Sequence, residues 1–272
     1  MIKTLDLNGT FFTYLNEKNN YSAELIGCME RTVQKLLDTE TTLDRPGMLL
    51  GKIQFGKTRT FLGVMSLAYD NGYDVVIILT KGTKALAQQT LERLKSEFRD
   101  LNEDDRIQIF DIMVVPTLTR YERKQKLAFV VKKEIRNMER LHQAFFETYP
   151  DLVDKKILII DDEADFASIG FTSKKDEEPE IKKIAGKIDE FRQNVEGCSF
   201  LQVTATPYSL YLQPEDIVVD SAIFKPIKPV FTELVPIHDK YIGGEYYFQK
   251  SEEEGTIAYH LFEEVPEDEL QF

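Results

Sequence analysis

The stretch Gly51-Lys52-Ile53-Gln54-Phe55-Gly56-Lys57-Thr58 satisfies the phosphate-loop pattern G-x-x-x-x-G-K-[ST] at every fixed position. Met48-Leu49-Leu50 before it suits a buried strand, and residues 58–70 after it suit a helix. A loop in that setting turns successive backbone N–H groups and a helix N-terminus toward an anion. Gly51, Gln54 and Gly56 then form the cradle, Lys57 reaches the β and γ phosphates, and the Thr58 hydroxyl ligates Mg²⁺. A strand-to-helix turn without a ligand is the alternative.

Such a loop belongs to α/β proteins, and the rest of the chain follows that rhythm. Residues 1–47 form a helical lead-in, with Met29, Val33, Leu36 and Leu37 at helical spacing. Apolar strand patterns follow at 48–53, 74–79, 107–115 with a break near Asp111, 127–131, 156–160 and 200–203, with helical patterns between them. Asn71-Gly72 suits the end of the first of these helices. Continuous β-branched runs such as Val75-Val76-Ile77-Ile78 indicate strands covered on both faces, hence a mainly parallel sheet in three layers. From Pro207 onward the rhythm is lost in Pro-punctuated, acidic sequence.

A phosphate cradle needs a carboxylate for its metal and a group that orients water, both at the carboxyl edge of the same sheet. The run 156–160 ends abruptly in Asp161-Asp162-Glu163-Ala164-Asp165, four acids in five positions. That concentration is costly unless a cation compensates it. Asp162 is the candidate for Mg²⁺ and Glu163 for the water-activating base; a solvated acidic loop is the alternative. Thr204 and Thr206 end the next apolar strand, where their hydroxyls can bond the acidic motif and the γ-phosphate region.

Gly51–Thr58, Asp162-Glu163-Ala164-Asp165 and Thr204-Ala205-Thr206 together resemble motifs I, II and III of superfamily 2 helicases and translocases. The resemblance implies the first RecA-like lobe of such a motor over residues 48–210, with ATP and Mg²⁺ as cofactors and DNA as track. Lys57, Asp162 and Glu163 are then catalytic. Gln54, Asp161, Tyr208 and Tyr241-Ile242-Gly243-Gly244-Glu245 look more like restriction and phage-defence motors, including the Z-one endonuclease group. By the same resemblance Lys81, Thr83, Lys132 and Lys133 sit where strand-backbone contacts are made. A solvated helix start is the alternative for the lysine pair. Gln34 stands where some relatives read adenine, and a solvent-facing helix residue is the plainer reading.

Charge bears on the partner. The 272 residues carry a net charge of −13, which disfavours indiscriminate nucleic-acid binding by the whole surface. Residues 120–140, however, hold eight cations against three acids, a basic segment suited to DNA. Segment 211–272 is an acidic extension, expected to begin a truncated or missing second part. Superfamily 2 motors hydrolyse ATP between two lobes, the second lobe or subunit supplying an arginine, and 207–272 contains no arginine. Weak hydrolysis by this chain alone is therefore expected. A nucleotide-dependent switch that binds a protein partner is the second reading, and a scaffold with a vestigial loop is the third. No run approaches a membrane span or a signal peptide, and Cys28 and Cys198 lack zinc or disulfide spacing, so a cytoplasmic location is expected.

Overall fold

The computed structural model describes residues 4–43, 45–51, 56–81, 83–115, 117–162, 178–205, 217–219, 222–224, 228–237 and 244–261. Its strands are β1 Gly47–Leu50, β2 Val75–Thr80, β3 Ile107–Asp111, β4 Lys126–Lys132, β5 Ile157–Asp162, β6 Cys198–Thr204, β7 Ile217–Val219, β8 Ala222–Phe224 and β9 Phe231–Leu234. Seven of them form one sheet in the order β3-β4-β2-β5-β6-β1-β9. Every pairing in it is parallel. Strands β7 and β8 make a separate antiparallel pair.

Period-two alternation sends the apolar runs to two cores. Val76, Ile78, Val130, Leu158, Ile160 and Val203 join helices α1 Thr10–Asn19, α2 Ala23–Asp38, α3 Lys57–Asp70 and α4 Lys84–Glu97. Val75, Ile77, Phe129, Val131, Ile157, Ile159 and Phe200 join α6 Ile135–His142 and α7 Glu178–Gln193. A five-residue helix, α5 Arg99–Glu103, leads into β3. The result is the three-layer α/β sandwich that strands apolar on both faces require.

Helix α3, which follows the phosphate loop, is buried at every position from Thr60 to Tyr69. Helices α1 and α2 both pack on it, so the lead-in shields α3 from solvent. Gly9 gives α1 no side-chain cap. Asp70 at the end of α3 does so instead, accepting from Phe11 N at 3.2 Å and Phe12 N at 2.7 Å.

Two local outcomes differ from the sequence expectation. The strand expected through Val115 stops at Asp111, whose Oδ1 accepts from Met113 N at 2.9 Å and bends the chain into a 3-10 turn. Strand β9 adds a seventh member beyond residue 210. Its Phe231 ring lies on Gly47, where an added Cβ would come within 2.5 Å of the ring. Glu233, 6% exposed, accepts from Arg31 at 3.0 Å and Lys35 at 2.7 Å on successive turns of α2. One compact unit runs to Pro236; a second begins at Ile237 and contains helix α8 Gly244–Lys250. No described helix is long and apolar enough to cross a membrane.

Cys28 is fully buried on α2, and burial pushes its thiol up to about 11. Burial pushes Cys198 up to about 12. Neither presents a thiolate at neutral pH. Maleimide labelling of the folded protein at pH 7 is therefore expected to be far slower than labelling in urea. Equal rates would contradict this packing.

Candidate nucleotide site at the carboxyl edge of the sheet

Strands β1 and β5 are separated by β6 alone. The register pairs Leu50 with Thr204 and Asp162 with Val203, so the three strands end nearly level. At one strand spacing per step, the ends of β1 and β5 lie roughly 10 Å apart. Gly51 N donates to the Thr204 carbonyl at 3.0 Å, which pins the start of the phosphate loop to the threonine strand. On the other side Val235 N donates to the Leu50 carbonyl at 2.8 Å.

Gly56 has φ +66°, a left-handed conformation that favours glycine, and hands the chain directly to Lys57 at the head of α3. The Gly56 carbonyl accepts from Thr60 N at 2.8 Å and Thr60 Oγ1 at 2.9 Å. Gly51 has a different task. A Cβ there would come within 2.6 Å of Lys57 Cγ, so the missing side chain is what lets Lys57 lie back across the strand end. The site thus combines a helix N-terminus of a 14-residue helix, a lysine, the Thr58 hydroxyl and the Asp162 carboxylate. Hydroxyl and carboxylate oxygens are the hard donors Mg²⁺ takes alongside phosphate, so these residues fit a magnesium nucleotide. Gln54, Glu163 and Thr206 lie outside the described residues.

Asp161 and Asp162 part company. Asp162 is half-buried at the edge, whereas Asp161 turns into a buried ion pair with Lys133. The Lys133 ammonium donates to Asp161 Oδ1 at 2.6 Å and to the Asp162 carbonyl at 3.4 Å, and both charged side chains are 5% exposed. Lys133 N also donates to the Thr80 carbonyl at 2.9 Å. One residue after β4 therefore ties the ends of β2 and β5 together beside Asp162.

Lys133, expected among the strand-contacting cations, is buried against Asp161. Lys132 pairs with Glu134 at 2.9 Å. Thr83 is exposed, and its hydroxyl caps α4 by accepting from Leu86 N at 3.3 Å. Gln34 donates to Asp38 on its own helix at 2.8 Å.

Nor does the basic segment form one continuous edge. Arg123 pairs with Asp151 at 3.0 Å and Lys126 with Asp74 at 2.9 Å, at the amino end of β4. Lys132 and Lys133 lie at its carboxyl end. Seven residues of strand put roughly 20 Å between the two groups.

Lys81 lines a cleft of about 130 Å³ beside the loop. Its floor includes Thr58, Thr80 and Asp162, and its far wall is Leu86, Gln89, Thr90 and Arg93 of α4. Those four recur at i, i+3, i+4 and i+7, beside the core stripe Ala87, Leu91 and Leu94.

The sequence matches no family model and no curated protein. Solved structures do resemble it. The DUF1998 helicase MrfA bound to DNA gives a TM-score of 0.51 at 18% identity, over 85% of this chain and 30% of that one. The fold is RecA-like. The same helicase bound to DNA and AMPPNP gives 0.48 at 17% identity, over 87% of this chain and 30% of that one. The DEAD-box helicase Mss116 bound to ssRNA and UDP-BeF gives 0.46 at 15% identity, over 83% and 45%. The lobe thus spans under a third of the one helicase and under half of the other.

Proposed function

We propose that this chain is the ATP-binding lobe of a superfamily 2 helicase or translocase motor that acts on DNA, of the kind found in restriction and phage-defence systems. The observation that carries the reading is the convergence of three strand ends: the phosphate loop after β1, Thr204 at the end of β6 and Asp162 at the end of β5. Lys57 and the first amides of α3 hold the triphosphate, and Thr58 and Asp162 hold its metal. A magnesium ion held there would supply positive charge against the phosphate oxygens. Glu163 takes the proton of the attacking water. The Lys133–Asp161 pair holds the main chain at Asp162, whose carboxylate would help hold the metal.

A second lobe, on the same polypeptide or another, completes hydrolysis by bringing an arginine to the γ-phosphate. The DNA track rests on Lys81 and on the unpaired part of the basic surface. A nucleotide-dependent switch that binds a protein has its own support, because much of the 120–140 charge is spent on internal ion pairs.

Filter binding to single- and double-stranded DNA at low salt, with and without a non-hydrolysable ATP analogue, separates the two. The motor reading expects binding whose affinity changes with the analogue and falls steeply with salt. No DNA binding under any condition, together with intact nucleotide binding, would favour the switch.

A further inference from the structure

The cleft between Asp162 and α4 lies beside the phosphate loop, and Lys57 is not among its lining residues. Among the described residues its walls hold the cations Lys81 and Arg93, with Gln89, Thr90 and Thr58 as further donors and Asp162 as a carboxylate. Thr80 is 3% exposed and lines the same cleft, yet its hydroxyl oxygen finds no hydrogen-bond partner among the described residues. A buried hydroxyl left unpaired needs a physical reason, and a ligand in the cleft supplies one. At about 130 Å³ the space has room for a small tetrahedral anion.

We propose that this cleft is a second oxyanion site, which shares Thr58 and Asp162 with the triphosphate cradle and takes a free phosphate between Arg93, Lys81 and the Thr80 hydroxyl. The inference rests on the ATP-binding reading. Thr58 and Asp162, which would hold the metal, also line the cleft, so orthophosphate released beside Asp162 would have the two cations next to it. The site thereby gives the cleaved phosphate a place to wait, or to leave, without crossing the nucleotide. Burial of the Thr80 hydroxyl and the i, i+3, i+4, i+7 spacing of the α4 wall are what set it apart from a solvated groove.

The same chemistry would suit a strand phosphate, and the experiment separates the sources. Calorimetry on the full chain, with orthophosphate as titrant, is run with and without saturating Mg·ADP. The same proteins are titrated with a single-stranded oligonucleotide and with Mg·ADP itself. Arg93→Ala is expected to weaken orthophosphate binding at least tenfold, and Thr80→Val severalfold, while Mg·ADP affinity stays within twofold of the parent. Equal orthophosphate affinity in the parent and Arg93→Ala overturns the proposal. So does an oligonucleotide affinity that depends on Arg93 where orthophosphate does not bind, which would assign the cleft to a strand backbone. Absent Mg·ADP binding by the parent would sink the nucleotide reading instead, and the titration without nucleotide still decides the cleft.

Discussion

Replacing Lys133 with methionine is expected to destabilise the lobe by about 3–5 kcal/mol. The substitution keeps the length and the apolar stem but removes the ammonium that meets Asp161 at 2.6 Å, in a place where both side chains are 5% exposed. A carboxylate left buried without its cation loses more than the pair itself contributed, because the desolvation of Asp161 is then uncompensated. The ammonium's bond to the Asp162 carbonyl is lost with it, whereas the backbone bond from Lys133 N to the Thr80 carbonyl survives the substitution. Urea unfolding followed by circular dichroism measures the effect. Removing both charges, in Lys133→Met with Asp161→Leu, is expected to recover most of it. A single substitution that shifts stability by less than about 1 kcal/mol would contradict the buried-pair account.

ATP hydrolysis by this chain alone is expected to be slow, about 10³–10⁵-fold below a form in which an arginine meets the γ-phosphate. Residues 207–272 offer Lys225, Lys228, Lys240 and Lys250 but no arginine. Lysine is a point charge without the planar fork that grips two phosphate oxygens at once. The residual rate should fall further in Glu163→Gln, by about 10²–10⁴-fold if Glu163 is the base. A phosphate-release assay with and without candidate second lobes measures both effects. Fast turnover by the chain alone, abolished by Lys57→Ala, would overturn this prediction and make Arg93, in the adjacent cleft, the first residue to examine.

Much of the sheet was legible in the sequence because its strands carry their own signal. Val75–Leu79 and Ile157–Ile160 are continuous apolar runs, and nothing but a strand covered on both faces accommodates them beside a phosphate loop. The strand ends Gly51, Asp162 and Thr204 followed from the same runs. Strand β9 was not legible. It is four residues long, and one of them is a glutamate that reads as surface. Glu233 is buried only because Arg31 and Lys35, some 200 positions earlier, reach it from α2. Phe231 finds its place only because Gly47 leaves room. Charge misled for the same reason. The lysines and arginines of 120–140 look like one basic surface until Asp74, Asp151 and Asp161 arrive from other elements. Pairings between distant residues leave no local pattern, whereas a buried strand announces itself within six residues.

The central claim is that Lys57, Thr58 and Asp162 hold a magnesium nucleotide, and thermal unfolding with Mg·ATP tests it most directly. At a ligand concentration of 100 Kd, binding should add about 2.7 kcal/mol, which raises Tm by roughly 5–10 °C for a domain of this size. The shift should vanish in Lys57→Ala, shrink strongly in Asp162→Asn, and shrink likewise when EDTA removes the metal. An equal shift in Lys57→Ala, or no shift in the parent protein at millimolar Mg·ATP, would contradict the account.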